Sequence, residues 1–586
     1  MAEATDAALH IERSGAGRVG NVDAQRLTGS RLELEWRRVP WQWLPVLAAI
    51  VYAVGFFVNF GSIFHSIYDV SDWTGLIYMA QVLPSAPHNA GIVMSDLYML
   101  DALGYLISTH WIPGHLFLWE LSPWIAGAVA SAVLARAVGA LYGRWAGWMV
   151  FILLFCTGPA LFQNQLEWDG HATAQQTICV FGAVAALMPL RGGMLGRSRW
   201  TWWTCLIVLA LLTGGGFADD PLFTLGGLVP LLVSGGVTAW LSSGAARRRT
   251  LWSIGAVTVV GLVLGVLFRA IAAHENITHT SKPITLVAYN AILDHVGLAV
   301  QSVVEQLGGN FGSQSLNLAG GLDLLAAVVV VGGIYAGYRL ARRQVLDLMA
   351  HRADAASARL DQPSLARVGL IVFWLTSMLL LLFSVLFTSE VVDITGQRYL
   401  LTVTYGVVVL AVAALASQRS GRLIGAVGAS VVVLSAALSI WQKDLQQELV
   451  SFPGPSDAAQ LEKWAKSKHL TYGFASYWDA YPLSWWSRSQ PAVYPVTGCG
   501  TATAGLPDST LCAYNQLLTS WYAPRPHTRS FLAVDDSFLT YSPGSLLGVV
   551  GAPSALGKPV RVAHVGRFTV YVYPYDVASR FGPAQS

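Results

Sequence analysis

Apolar runs of roughly 20 residues, each closed by a short polar connection, recur along most of the chain. That length matches the hydrocarbon core of a bilayer. The runs predict helices near 42–62, 116–135, 146–163, 173–190, 201–217, 222–242, 251–270, 320–339, 368–388, 398–416 and 423–441, about eleven in all. From 442 onward the pattern changes. "SDAAQLEKWAKSKHL" has the apolar spacing of an amphipathic helix behind an N-capping Ser or Asp. "YGFAS" and "RFTVYVYPYDV" read as strands, the second alternating clearly. The reading is a polytopic α-helical membrane protein with three parts. Residues 1–41 form an N-terminal segment, 42–441 the transmembrane domain, and 442–586 a small α/β domain.

Composition agrees. Of 586 residues 54% are hydrophobic and 12% charged, where a soluble domain carries about a quarter charged. No repeat of fixed period is present, and the polar, Arg-containing N-terminus does not read as a cleaved signal peptide. The net charge of +3 says little; the placement of the charges says more. With the N-terminus inside, 22 Lys and Arg fall in cytoplasmic segments and three, Arg269, Lys282 and Arg398, in external membrane-proximal loops. The positive-inside rule then sets the N-terminus in the cytoplasm and residues 442–586 outside. On that oxidising face Cys499 and Cys512, the only cysteines beyond the spans, are expected to pair as a disulfide. Cys156, Cys179 and Cys205 lie within spans as small packing residues.

The candidate chemistry lies on the outer face. The first external loop, 61–115, contains no Lys or Arg, but holds Asp69, Asp72, Asp96 and Asp101 with four histidines. Its "DWTGLIYMAQVL" and "MSDLYMLDALGYLIS" have the spacing of helices lying on a membrane. On a helix Asp69 and Asp72 would share one face. "NQLEWDGH" supplies Glu167, Asp169 and His171, and "GGGFADDP" supplies Asp219 and Asp220 beside a glycine run. "SEVVDITGQRY" supplies Arg398 and Tyr399. A simpler reading exists for each taken alone: juxtamembrane Asp residues cap helices, and an Arg at a helix end snorkels to the interface. Their gathering on one face is what suggests a working surface.

Several chemistries are missing. The chain has no GxxxxGK loop, no GxGxxG after a strand, no HExxH, no CxxC pair and no GxSxG elbow. Nucleotide-driven pumps, zinc peptidases and typical serine hydrolases are thereby disfavoured, and nothing suggests nucleic acid as a partner. Carboxylate chemistry beside a lipid phase remains.

A multispan chain with an Asp just after its first span, a long first external loop and an outer C-terminal domain resembles the GT-C glycosyltransferases. The local motifs that carry the likeness are "YDVSD", "GQRYLL" at Gly396–Leu401, "YGFASYWDAYPLSWW" and the "ADDP" turn at Ala218–Pro221. The resemblance implies a polyprenyl-phosphate-linked sugar as donor and a glycan, lipid or protein as acceptor. It also implies a bacterial cytoplasmic membrane protein whose active site faces outward among membrane lipids. In that superfamily an acid of the first external loop is the catalytic base. The matching position here is Asp69 or Asp72; many members have adjacent acids, and Asp-Val-Ser-Asp leaves the choice open. Arg398, with Tyr399, would meet the donor phosphate, helped by Lys282 or Arg269. Asp96, Glu167, Asp169, His171, Asp219, Asp220, Trp73, Trp168 and Trp478 are candidates for holding sugar or acceptor. A divalent cation (Mg or Mn) is compatible with so many acids, although no ligand spacing demonstrates one.

Two other readings stay in play. A transporter or lipid flippase would carry ionisable groups near the bilayer midplane and broken helices in paired halves. A non-catalytic GT-C-like scaffold would use the outer domain to bind glycan.

Overall fold

The structure is a computed structural model. It describes residues 41–59, 91–94, 116–158, 171–190, 199–219, 221–274, 277–279, 285–309, 317–353, 360–389, 398–418, 420–442, 453–499, 511–514, 517–535 and 556–581. A helix stands in every predicted apolar window. In chain order they are α1 (Leu44–Val58), α2 (Leu116–Tyr142), α3 (Arg144–Phe155), α4 (His171–Leu187), α5 (Arg199–Asp219), α6 (Pro221–Leu241) and α7 (Gly244–His274). After a shorter helix, α8 (Ile292–Gln306), come α9 (Leu318–Ala353), α10 (Gln362–Phe387), α11 (Leu401–Ala416) and α12 (Gly421–Gln442). Seven described helices are long and apolar enough to cross a membrane; α1, α3, α4 and α5 contribute shorter apolar stretches. Several helices outrun their windows: α2 continues past Arg136 to Tyr142, and α10 begins ahead of Arg367. α7 begins ahead of Arg247–Arg249, and α9 runs past Arg339, Arg342 and Arg343, because helix geometry continues into polar sequence until something stops it.

The helices share one core. Trp374 of α10 is fully buried there, and glycines make its room: a Cβ at Gly182 would stand 2.9 Å from its ring. α6 contains a π turn at Thr224–Leu228. Such a turn disturbs the backbone ladder, and Ser377 Oγ donates to the Gly226 carbonyl at 2.7 Å. In an apolar surround, side-chain donors of this kind satisfy backbone oxygens that water cannot reach. α1 packs on α12 and joins the first helix to the last. Asn59 Nδ2 donates to the Ile440 carbonyl at 3.1 Å, and Trp441 Nε1 to the Val51 carbonyl at 3.2 Å.

Beyond α12 the chain folds around a six-stranded sheet of order β5-β4-β3-β7-β9-β8. Its strands are β3 (Tyr472–Ser476), β4 (Ala492–Gly498), β5 (Leu511–Ala513), β7 (Ser530–Asp535), β8 (Arg561–Val565) and β9 (Phe568–Tyr573). β3 pairs in parallel with β4 and β7; the other pairings are antiparallel. Helix α13 (Pro455–Ser467) and α14 (Tyr477–Trp486) supply Ala458, Leu461, Ala465, Ala480 and Leu483 to the core on one face. The other face buries a tyrosine-rich core around Phe474, Tyr494 and Trp521. The cap of α13 differs from the sequence expectation. Gly454 is the N-cap, Pro455 takes the first helical position, and Asp457 Oδ2 accepts from the Gly454 N–H at 3.1 Å. Proline's fixed φ suits that first position, which moves the start ahead of Ser456. Cys499 and Cys512 are disulfide-bonded with Cα atoms 5.0 Å apart.

A second, three-stranded sheet stitches distant segments together in the order β2-β1-β6. β1 (Ile92–Met94) belongs to the first external loop, β2 (Ile277–His279) follows α7, and β6 (Leu517–Leu518) belongs to the C-terminal part. β1 runs parallel to β2 and antiparallel to β6.

Candidate active site

One end of the bundle collects polar groups, and it is the end that the charge pattern assigns to the outside. Arg398 lies there, half-buried, immediately before α11. Its guanidinium stands 5.4 Å from the centre of the Tyr399 ring, a geometry in which the ring's negative face favours the cation. Its backbone is held from α4: Gln175 Nε2 donates to the Arg398 carbonyl at 2.9 Å. Gln175 is almost wholly buried, so the residue carrying the cation is fixed to a neighbouring helix.

The next layer is built by the C-terminal end of α8. Thr404 Oγ1 donates to Gln306 Oε1 at 2.5 Å, and Gln301 Nε2 donates to Glu305 Oε1 at 2.7 Å. Gly308, two residues past the end of α8, has a φ of +86° that suits glycine. Ser435 Oγ stands 2.5 Å both from the Gly308 carbonyl and from Asp323 Oδ1; its single proton serves one of them at a time. Just beyond α3, Gly158 approaches so closely that a Cβ there would meet the Gly308 nitrogen at 2.8 Å. Four helices and the approach to the 159–170 loop thus meet around a compact polar floor. Two of its acids, Glu305 and Asp323, are buried and escape the sequence reading. The available signal is a lone Asp within the apolar window 320–339, and a Glu-Gln pair closing an amphipathic segment.

The other external cation described has a different setting. Arg269, near the end of α7, donates from Nη2 to the Phe217 carbonyl at 3.0 Å and from Nε to the Ala218 carbonyl at 3.3 Å. It also covers the Phe217 ring at 5.2 Å. A cation on the last carbonyls of α5 satisfies a helix C-terminus. Arg269 therefore caps the C-terminus of α5, whereas Arg398 stands beside Tyr399 just ahead of α11.

Strand β1 ties the connection between α1 and α2 to the residues after α7 and to the C-terminal part. Besides the β1–β2 and β1–β6 pairs, Thr519 N donates to the Gly91 carbonyl at 2.9 Å. Asp69, Asp72, Trp73, Asp96, Glu167, Trp168, Asp169, Asp220 and Lys282 lie outside the described residues. His171 begins α4 and Asp219 ends α5. Trp478 is in the outer domain, half-buried and edge-on to Tyr477 with centroids 5.1 Å apart. Among the described residues no three His, Cys, Asp or Glu side chains stand together as a metal site.

Among the described residues of the C-terminal sheet region, one acid is strongly perturbed. Asp479, in the first turn of α14, is 1% exposed and accepts from Ser476 Oγ at 2.6 Å. Burial pushes its carboxyl up to about 7, with the Asp535 charge adding to the rise; the Ser476 hydrogen bond and Arg567 oppose it. Asp535 is paired with Arg567 at 2.6 Å. One guanidinium therefore serves two buried carboxyls, and the one lacking the close partner is driven toward its neutral form.

No known family's sequence pattern matches the chain, and no curated protein matches it. Solved structures do. ArnT from Cupriavidus metallidurans in the apo state is similar over 92% of this chain and 100% of its own, at 12% identity and a TM-score of 0.49. The same protein bound to undecaprenyl phosphate aligns with the same identity and TM-score, over 99% of its length. The Archaeoglobus fulgidus oligosaccharyltransferase, in complex with Zn and sulfate, aligns over 75% of this chain and 61% of its own, at 13% identity and a TM-score of 0.37.

Proposed function

We propose that the chain is an inverting glycosyltransferase of the GT-C type. It would transfer a sugar from a polyprenyl-phosphate donor to a glycan, lipid or protein acceptor at the outer face of a bacterial cytoplasmic membrane. Eleven crossings, with the N-terminus inside and residues 442–586 outside, put the polar floor and the acid-rich loops on that face. The observation that carries the reading is Arg398: a half-buried guanidinium whose carbonyl is fixed by Gln175, on the side of the bundle joined by the loop that holds Asp69 and Asp72.

The chemistry follows from these groups. Nucleotide sugars stay in the cytoplasm, so an outward-facing transferase takes its sugar from a lipid that has already crossed. An acceptor hydroxyl gives its proton to the carboxylate of Asp69, with Asp72 as second choice. A carboxylate with an ordinary pKa near 4 is ionised at neutral pH and can accept it. The hydroxyl oxygen forms a bond to the sugar's C1, the bond from C1 to the phosphate oxygen breaks, and its electron pair leaves on polyprenyl phosphate. Attack opposite the leaving group inverts the anomeric centre. Arg398, presenting a fork of N–H donors, would stabilise the phosphate as its charge grows, with Lys282 as a second cation. The acids of the other outer loops and Trp73, Trp168 and Trp478 remain candidates for sugar and acceptor contacts.

A panel of short-chain polyprenyl-phosphate sugars tests the reading. Release of polyprenyl phosphate by the wild type, lost in Asp69→Asn while donor still binds, is the expected result. If no donor binds or turns over while liposomes show lipid flux, the chain is a transporter and the reading fails.

A further inference from the structure

Helix α8 was not expected from the apolar windows. Its 15 residues span about 22 Å at 1.5 Å per residue, too short for a bilayer core of about 30 Å. It lies along the end of the bundle and is tied down at both ends. Ahead of it, Val287 N donates to the Phe387 carbonyl at 3.1 Å and Ser389 N to the Thr285 carbonyl at 2.9 Å. His295 Nδ1 is 2.8 Å from the Val385 carbonyl, and at the far end Gln306 meets Thr404, one turn inside α11. The helix therefore lies level with the last turn of α10 and the first turn of α11.

Its surface divides into three stripes. His295, Ala299, Ser302 and Gln306 are buried against the bundle. Leu293, Val296 and Val300 follow at intervals of three and four residues and are exposed, Leu293 by 80%; on the approach to the helix Leu286 and Tyr289 are 79% and 91% exposed. Asn290, Asp294, Gly297 and Gln301 are exposed as well. At 3.6 residues per turn this polar stripe stands about 90° from the apolar one. A helix beside a protein needs only one buried face; here a second face is apolar and a third polar. That division fits a helix at the acyl–headgroup boundary, with one side toward lipid and the next toward water. α10, against which His295 is held, also exposes Leu379 and Phe383.

We propose that α8 is an in-plane membrane helix whose Leu293, Val296 and Val300 are seated among the acyl chains of the outer leaflet. Its buried face supplies Gln306 to the polar cluster with Thr404. Lipid contact and the candidate site therefore share one helix.

Nitroxide labels test this in full-length protein reconstituted into phosphatidylcholine–phosphatidylglycerol nanodiscs. The background is Cys205→Ala; Cys156 and Cys179 are buried and Cys499 is bonded to Cys512. Labels go at Leu293→Cys and Asp294→Cys, with Val300→Cys and Gln301→Cys as a second pair should the first fold poorly. The expected result is that oxygen collisions dominate at 293 and 300 and a water-soluble nickel chelate dominates at 294 and 301. The preference thus inverts between adjacent residues. Equal access of the nickel chelate to both members of a pair overturns the proposal. So does shielding of 293 and 300 from both reagents, which would mean that another protein or a second copy covers the stripe. The outcome does not depend on the sugar-transfer reading.

Discussion

Replacing Arg398 by alanine removes the charged donor from the start of α11 without touching the carbonyl that Gln175 holds. The Tyr399 ring 5.4 Å away neighbours the cation before and after donor binding, so its contribution largely cancels. What is lost is the charge-assisted hydrogen bonding to phosphate, about 1.5–3 kcal/mol. At 1.4 kcal/mol per decade this is roughly a 10- to 150-fold fall in kcat/KM for the donor. Lysine keeps the charge but not the planar fork, so Arg398→Lys should fall between wild type and alanine. Gln175→Leu leaves the half-buried Arg398 carbonyl without its 2.9 Å donor. It should cost about 1 kcal/mol through misplacement of the cation, a smaller loss than Arg398→Ala. The assay is release of polyprenyl phosphate at several donor concentrations, with thermal melting of each variant as the control for folding. Wild-type turnover in a well-folded Arg398→Ala protein would refute the reasoning. So would a larger loss in Gln175→Leu than in Arg398→Ala.

Three further outcomes follow from the same description. Asp69→Asn combined with Asp72→Asn should lower sugar transfer by at least about 100-fold, the lower range for a general base, while a donor-binding assay stays near wild type. Asp479, raised to about 7 in the fold from its ordinary 3.8, makes the folded state hold a proton that the unfolded chain releases. Stability therefore declines as pH rises from about 4 to 7, by on the order of 4 kcal/mol, and levels off above; Asp479→Asn should flatten that slope in melting curves from pH 4 to 8. Replacing both Cys499 and Cys512 by alanine opens a bridge between residues 13 apart; about 3 kcal/mol of stability should be lost, read as a lower melting temperature and faster proteolysis.

The apolar windows carried most of the bundle. Each of them holds a helix, because twenty apolar residues in succession have few other ways to satisfy their backbone. The strands at Tyr472–Ser476 and Phe568–Tyr573 were also legible, the latter from its alternation. α8 was not, since Asn290, Asp294 and Gln301 interrupt its leucines and valines and no long apolar window forms. β1, β2 and β6 are two or three residues long and owe their conformation to partners far away in sequence, which no local pattern encodes. Within the site, Arg398 stood out by counting charges. Gln175, which holds its carbonyl, and the Gln306–Thr404 pair did not, because a neutral polar residue in an apolar helix shows its purpose only when its partner is known.

The small β2-β1-β6 sheet has a consequence for how the protein is made. The connection between α1 and α2 is synthesised early, yet its strand Ile92–Met94 pairs with Ile277–His279 and with Leu517–Leu518, far later in the chain. Contacts between such distant segments form late, because the intervening chain must first be ordered. Strand β1 then gains its β6 partner only after the C-terminal part has been made and folded. A chain interrupted before residue 517 would retain every predicted apolar helix and still leave β1 without one of its two partners.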